Sequence, residues 1–254
     1  MLKNKTKTIS YDLETSYTVG AVWGLFDTNV ATTLREPYII TIAWKVLGEK
    51  KTYVKGITDF PLYKKDKHSD KALVQYIKDE IFGKADILIA HNGNSFDKKW
   101  VYGRFVVNGI TPPPPVKHID TKLEAKKIGR FNSNSLTNLG QYFGLGKKLE
   151  TGGIQLWVDC IEHNKKEAWV KMKKYNVQDV ILLEKVYLKL RPYMLLHPNL
   201  NVLNGDNTSC PNCGSHTIQK RGFGINSKSK YQRLHCQDCS AWFKGENIKC
   251  IQKK

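Results

Sequence analysis

Four acidic residues in three short motifs constrain this sequence most, because the fold has to accommodate them in a chain that is otherwise strongly basic. Asp12 and Glu14 lie in the segment TISYDLET, Asp97 lies in HNGNSFD, and Asp179 lies in YNVQD. With a formal charge of +18, the chain has little reason to gather carboxylates unless they hold metal ions. Four carboxylates around two divalent cations are suited to phosphodiester cleavage. The motifs therefore predict a nuclease.

Length and charge narrow the class of protein further. The 254 residues are enough for one domain of ordinary size and a small appendage. The charge favours a polyanionic partner over a merely solubilising surface, because neutralising phosphates with Lys and Arg releases counterions. No apolar run approaches the roughly 20 residues of a membrane span, and no apolar signal segment follows the basic N-terminus. We therefore expect a cytoplasmic protein without a membrane partner, and its Lys-, Asn- and Ile-rich composition is typical of AT-rich genomes such as those of phages.

Hydrophobic periodicity predicts an α/β domain over residues 1–200. Strands are predicted at 7–13, 38–46, 51–57, 86–90 and 116–120, and helices at 72–82, 95–108, 135–143 and 165–191. Strands followed by helices at this spacing indicate a layered α/β fold. Residues 201–209 are rich in Asn, Gly, Asp, Thr and Ser, which indicates a linker before a separate tail at 210–254.

Each acidic motif has a functional and a structural interpretation. Asp12 and Glu14 are two residues apart on a predicted strand, so their side chains share one face, which would otherwise be an ordinary wet face. Asp97 follows a buried strand, at the end where ligand sites gather in α/β sheets, and Phe96 is expected to turn inward beside it. The alternative for Asp97 is a helix-capping box with Asn94 as the N-cap.

Asp179 lies within an apolar stripe of the last predicted helix. The stripe consists of Met172, Tyr175, Leu183, Val186 and Leu190. A carboxylate on such a face costs several kcal/mol unless it is paired or binds a cation, so a buried salt bridge is the alternative to a metal site. Tyr175 precedes Asp179 by one helical turn and shares its face. Asp120, at the end of another predicted strand, is expected to support the site without binding the metal directly.

Together the three motifs resemble those of the DEDD superfamily of 3′–5′ exonucleases, over about residues 7–192. Asp12-x-Glu14 matches the first motif, Asn92-x-x-x-Phe96-Asp97 the second, and Tyr175-x-x-x-Asp179 the third in the tyrosine variant found in the proofreading domain of family B DNA polymerases. The resemblance implies a ribonuclease-H-like fold, with a mixed five-stranded sheet flanked by helices.

The resemblance also implies a two-metal mechanism with two Mg²⁺ or Mn²⁺ ions. Asp12 would bridge both ions, and Glu14 and Asp179 would hold the ion that activates the attacking water. Tyr175 would orient that water, and Asp97 would support the second ion through a water molecule. The products would be nucleoside 5′-monophosphates released from the 3′ end of DNA, with single-stranded DNA favoured and RNA as the alternative.

Several residues are expected to contact the nucleic acid around this site. Leu13 and Phe96 would stack against terminal bases, and Asn92 would order the loop beside them. The segment 131–139, which contains Ser135, resembles the family's strand-binding segment. Lys147 and Lys148 would follow the phosphates, unless they lie on a merely solvated loop.

Two Cys-x-x-Cys pairs characterise the tail. Cys210 and Cys213 are separated by 22 residues from Cys236 and Cys239, which is close to the spacing of zinc ribbons with one structural Zn²⁺. Gly214 fits the tight turn after the first pair. Disulfide bonds are the alternative, although nothing in the sequence indicates secretion.

Cations interleave with aromatic residues between and after the cysteines. Lys220, Arg221, Tyr231 and Arg233 are the expected contacts to nucleic acid, and the pattern is similar to zinc ribbons found on some transposases. Docking of a replication or repair protein is the alternative for this tail. For the whole chain, the alternatives to a DNA exonuclease are an exoribonuclease, a transposase- or resolvase-like endonuclease, and a non-catalytic nucleic-acid-binding module.

Overall fold

The computed structural model describes residues 6–24, 26, 29–147, 149, 152–194, 197–201, 205–206, 208–227 and 229–248. The chain forms two compact units. The larger unit comprises Lys7–Leu123 and Phe131–Val186, and the smaller comprises Met1–Thr6, Glu124–Arg130 and Tyr187–Lys254. Within the described ranges, no helix combines the length and the apolar character required to cross a membrane.

A mixed five-stranded sheet forms the centre of the larger unit. Its strands are β1 (Thr8–Thr15), β4 (Ile39–Val46), β5 (Tyr53–Gly56), β6 (Ile87–Ala90) and β7 (Lys117–Asp120). The order across the sheet is β5-β4-β1-β6-β7. β1 pairs antiparallel with β4 and parallel with β6, while β4–β5 is antiparallel and β6–β7 is parallel. The predicted sheet, with all five of its strands, is therefore confirmed.

The buried faces of the central strands explain this arrangement. Ile9, Tyr11 and Leu13 of β1 alternate along the strand and are buried in the main apolar core, as the period of two requires. β6 lies between two parallel neighbours and all four of its residues are buried, which is why its sequence is continuously apolar.

Helices flank this sheet, and apolar residues of several of them join its core. They are α1 (Lys71–Tyr76), α2 (Asp97–Asn108), α3 (Thr121–Ile128), α4 (Leu136–Tyr142), α5 (Gln155–Ile161) and α6 (Lys166–Leu190). The helix predicted at 72–82 is present, but it changes to π-helical geometry over Ile77–Phe82. α3 and α5 were not predicted.

A hairpin between β1 and β4 was not predicted either. Its strands are β2 (Val19–Ala21) and β3 (Thr32–Arg35), paired antiparallel. Two large side chains between them, Trp23 and Phe26, are almost fully exposed. Because the strands are so short and the segment has no regular apolar period, the sequence gives little indication of this element.

The smaller unit contains a three-stranded antiparallel sheet. Its strands are β8 (Ile218–Ile225), β9 (Lys230–Cys236) and β10 (Trp242–Ile248), in the order β10-β9-β8. Three of the four paired cysteines are buried and pack with Ala241 as a small core. This arrangement is compatible with a small zinc ribbon.

Candidate functional site

Three of the predicted carboxylates converge between β1 and α6. Asp12, Glu14 and Asp179 each offer an oxygen atom, and these atoms lie within 4.8 Å of one another. Asp12 and Glu14 are half-buried on the face of β1 opposite Leu13, and Asp179 is buried at 1 % exposure on α6. These three residues form a group that could hold a metal ion, which we call the carboxylate cluster.

Asp97 lies beside this cluster but outside the group of three. It is the first residue of α2, and its carboxylate accepts a hydrogen bond from the backbone N–H of Leu13 at 3.1 Å. Phe96, not Asn94, occupies the N-cap position of α2. The capping-box alternative is therefore wrong, and the buried Asp97 carboxylate instead contacts the strand that carries Asp12 and Glu14.

The loop before Asp97 is organised by Asp120, at the end of β7. The Asp120 carboxylate accepts hydrogen bonds from the backbone N–H groups of Asn92 at 3.0 Å and Asn94 at 3.1 Å. Asn92 has φ of +66°, a left-handed conformation that Asn tolerates better than most residues. Asp120 therefore shapes the loop from outside the carboxylate cluster.

Asn176 is a site residue that the sequence analysis missed. It is fully buried on α6, and its amide N–H group donates to the Asp12 carboxylate at 2.8 Å and to the Asp12 carbonyl at 3.1 Å. The Thr41 hydroxyl donates to the Asn176 amide oxygen at 3.1 Å. These contacts fix both the amide and the carboxylate. Only the adjacency of Asn176 to Tyr175 in the sequence could have drawn attention to it.

Trp157 is a second residue of the site that the sequence analysis missed, and it contacts Tyr175. Its ring meets that of Tyr175 edge to face, with the centroids 6.3 Å apart. The Trp157 indole N–H also donates to the carbonyl of Thr15 at 3.0 Å. Trp157 therefore fixes the half-buried Tyr175 ring relative to the end of β1.

The negative charge of the site affects the ionisation of Tyr11, a fully buried residue of β1. Burial raises the pKa of Tyr11 well above its ordinary value, and the nearby charges of Asp97, Asp12 and Asp120 raise it further. Three carboxylates are therefore close enough to one side chain to raise its pKa, although the chain as a whole has a net charge of +18. Their donors are hard oxygen atoms, which match Mg²⁺ or Mn²⁺ better than zinc.

The expected nucleic-acid contacts around the site have different environments. Leu13 is buried in the core, so its side chain cannot stack on a bound base, and that expectation is corrected. Phe96 is 39 % exposed and does not turn inward. The Ser135 hydroxyl caps α4 by accepting from the N–H of Asn138. Lys147 is exposed, and the prediction for Lys148 lies outside the described residues.

The four cysteines of the smaller unit form a second group that could hold a metal ion. The Cys210 and Cys239 sulfurs are 3.7 Å apart, and those of Cys213 and Cys236 are 3.6 Å apart. Both separations greatly exceed the roughly 2.05 Å of a disulfide bond, so the cysteines are not arranged as disulfides.

Two equivalent turns shape this cysteine group. The N–H of Gly214 donates to the carbonyl of Cys210, and the N–H of Ser240 donates to the carbonyl of Cys236. Gly214 and Ser240 have φ of +78° and +60°. The expected tight turn at Gly214 is confirmed, and Ser240 provides its counterpart after the second pair.

The three-stranded sheet of the smaller unit places the four expected nucleic-acid contacts on different faces. Tyr231 and Arg233 are two residues apart on β9 and share one face. Lys220 is paired with Leu234, so it lies on the opposite face, and Arg221 falls in a register irregularity of β8. The four expected residues therefore do not form one surface.

Comparisons with known proteins identify the superfamily and the fold of this chain. The sequence profile of the RNase H superfamily matches residues 31–191, a range that excludes Asp12 and Glu14. The solved structure of the family B DNA polymerase from the archaeon Pyrobaculum calidifontis is similar with a TM-score of 0.52 and 13 % identity. The similarity covers 90 % of this chain and 32 % of the polymerase, so the chain spans about a third of its length. At this identity the likeness shows the fold alone. No curated protein sequence matches the chain.

Proposed function

This chain belongs to the RNase H superfamily, and we propose that it is a metal-dependent nuclease that removes nucleotides from the 3′ end of single-stranded DNA. The observation that carries the proposal is the convergence of the Asp12, Glu14 and Asp179 oxygens within 4.8 Å. Carboxylates of like charge repel one another unless a cation compensates them. A net positive chain also favours a polyanionic substrate.

The carboxylate cluster would hold Mg²⁺ or Mn²⁺, with Asp97 as a further ligand or as the acceptor of a coordinated water. When bound, these ions acidify a water nucleophile and stabilise the leaving oxygen. The protein's own contribution is orientation. Asn176 holds the Asp12 carboxylate. Tyr175 lies one helical turn from Asp179, is held by Trp157, and would orient the attacking water.

Support for the 3′ direction comes from the order of the motifs and from the tyrosine that precedes Asp179. That combination is similar to the proofreading exonucleases described above, and an endonuclease has no need of it. In the smaller unit, Cys210, Cys213, Cys236 and Cys239 would bind one structural Zn²⁺, because four thiolates form a closed tetrahedral zinc site. We further propose that this ribbon helps to hold nucleic acid, with binding of a replication or repair protein as the alternative.

The test is a cleavage assay on 5′-labelled single-stranded DNA and RNA, with Mg²⁺, Mn²⁺ or EDTA. We expect a ladder that shortens from the 3′ end and requires the metal. Asp12→Asn and Asp179→Asn keep the side-chain shape and remove a charge, so each should lower the rate by at least about 1,000-fold, or about 4 kcal/mol in the barrier. Glu80→Gln is the control and should retain activity, because Glu80 is a half-exposed residue of the same unit whose ion pair is with Lys84.

Each contrary outcome selects one alternative. Faster degradation of RNA would identify an exoribonuclease. Internal cuts without a 3′ ladder would contradict the proposal in favour of an endonuclease. Intact oligonucleotides, bound but not cleaved with either metal, would identify a non-catalytic binding module.

A further inference from the structure

An exposed apolar stripe follows α2 away from the carboxylate cluster. Phe96, Trp100, Gly103 and Val107 are spaced by four, three and four residues, so they lie along one side of the helix. The Phe96 and Trp100 rings meet edge to face with centroids 6.1 Å apart. Val107 is 68 % exposed. Trp100 between them is half-buried against the main core. An apolar helix face is ordinarily buried, so the exposed part of this face could contact a ligand.

Three residues of the stripe, Trp100, Gly103 and Val107, form one wall of a groove of about 480 Å³. Ser95, Lys99 and Arg104 of the same segment and Glu36 also line it. A Cβ atom placed on Gly103 would meet no other atom within 4 Å, so the groove is open above this residue. Its volume falls in the range of small-molecule sites, roughly 300–1,000 Å³, which is ample for an unpaired base.

Arg104, which lines the groove, is fixed in place by hydrogen bonds to a buried carboxylate. The Arg104 guanidinium donates to both carboxylate oxygens of the buried Asp70, at 2.7 and 2.8 Å. The same carboxylate accepts from the N–H of Ile39 at 3.0 Å and from the Asn108 amide at 2.9 Å. Since its guanidinium is already engaged, Arg104 lines the groove without offering a charge. The groove is therefore formed before any ligand binds.

We propose that this groove binds unpaired bases of the substrate strand, upstream of the nucleotide that is removed. The inference rests on the proposed function. Its position supports it, because Ser95 lines the groove and lies two residues before Asp97, so the groove begins on the segment that leads into the candidate metal site. Its chemistry supports it as well, since aromatic and apolar walls stack bases of any sequence. Lys99 at the rim suits the adjacent phosphates, and the Glu36 carboxylate can accept from an exocyclic amino group.

Gly103→Leu tests the groove without threatening the fold. The open space above Gly103 accommodates the new side chain, and leucine favours a helix interior more than glycine does, so the melting temperature should be unchanged or higher. The leucine side chain would occupy the place of a base. Because stacking of one base contributes between several-fold and about 100-fold to affinity, we expect the Kd for single-stranded DNA to rise about 10-fold. The Kd is measured by fluorescence anisotropy without added Mg²⁺ or Mn²⁺ and without a chelator, so that the cysteine group keeps its metal.

A second oligonucleotide identifies bases as the ligand. It carries abasic positions directly upstream of its 3′ nucleotide. Wild-type protein should bind it about 10-fold more weakly than the intact oligonucleotide, and Gly103→Leu protein should bind the two equally. Val106→Ala is the matched control, because Val106 is highly exposed on α2 and does not line the groove; it should behave as wild type.

The outcomes separate this inference from the proposed function. Anisotropy reports binding even if no cleavage occurs, so an inactive protein would overturn the proposed function and leave the groove assay readable. Unchanged DNA affinity in a well-folded Gly103→Leu protein would overturn the inference, and the groove would then fit an apolar segment of a protein partner better. A wild-type protein indifferent to the abasic positions would overturn it equally.

Discussion

Asn176 is the residue on which the geometry of Asp12 most directly depends. Its amide holds both the carboxylate and the carbonyl of Asp12, and Thr41 holds the amide in turn. Asn176→Ala removes these contacts, so the Asp12 carboxylate would be free to rotate away from the position in which it would bind a cation. Loss of such supporting bonds typically costs about 10- to 100-fold in metal affinity or activity. We expect a loss of this size in kcat, with the KM for the oligonucleotide little changed.

A titration with Mg²⁺ distinguishes this effect from simple destabilisation. The Mg²⁺ concentration for half-maximal activity should increase in Asn176→Ala, while a merely loosened fold would lower activity at every Mg²⁺ concentration alike. Gln178→Ala is the control, because Gln178 lies two residues further along α6 and makes no contact with Asp12 among the hydrogen bonds of the described residues. Equal behaviour of the two variants would contradict the positioning role of Asn176.

Within the ribbon, the pleat of the sheet predicts that one face binds nucleic acid. On one face of β9, Arg233 pairs with Lys244 and His235 with Trp242. The Lys244 ammonium lies 4.7 Å from the centroid of the Tyr231 ring on that face. The imidazole of His235 stacks on Trp242 with centroids 4.5 Å apart. Cations suited to phosphates and rings suited to stacking on bases are therefore adjacent on this face.

Substitution on the two faces tests this assignment. Arg233→Ala and Trp242→Ala should each raise the Kd for single-stranded DNA about 5-fold or more, and Arg233→Ala should also reduce the salt dependence of binding. Lys220→Ala removes a charge from the opposite face of the same sheet and should have a smaller effect. Unchanged binding in all three variants, with the metal content intact, would favour the protein-docking alternative for the ribbon.

The elements that the sequence predicts are those whose own period determines their burial. β1, β4 and β6 carry clear apolar patterns and appear within a few residues of their predicted bounds. The β2–β3 hairpin differs, because its support comes from distant residues. Arg35 and Tyr17 at its base both bind Glu162, which lies at the end of α5. No local pattern encodes such contacts, so the hairpin could not be predicted from its own sequence.

For the molecule as a whole, residue type identified the carboxylates, and the fold was needed to find their supports. Asp179 stands out because acidic residues are rare on apolar helix faces, and Asp12 because it shares one strand face with Glu14 in a basic chain. Asn176 and Trp157 are unremarkable in the sequence. They become significant only because α6 crosses beside β1 and because α5 brings Trp157 to Tyr175. Leu13 was misjudged for the related reason that its alternation on β1 directs it into the core.

The stability of the larger unit should fall in mild acid because of His118 on β7. Its ring lies against Tyr11 and Phe82, and its Nε2 is buried without a hydrogen bond among the described residues. Burial, assisted by the charge of Lys98, lowers the pKa of His118 from 6.5 to about 4. Between pH 6.5 and about pH 4, His118 therefore binds a proton in the unfolded chain and not in the folded chain. The contribution of the neutral His118 to the free energy of unfolding is complete above pH 6.5 and is lost as the pH falls through about 4.

Unfolding in urea at a series of pH values measures this effect. Over that window, one such proton lowers the free energy of unfolding by at most about 1.4 kcal/mol per pH unit. His118→Phe keeps an aromatic ring against Tyr11 and Phe82 and removes the titrating group, so its pH dependence should be shallower by about that amount. A parallel decline in the two proteins would contradict the prediction. The control is His163→Phe, which changes an exposed histidine and should leave the pH dependence as in the wild type. His68→Phe would not serve, because His68 is hydrogen-bonded to Tyr38.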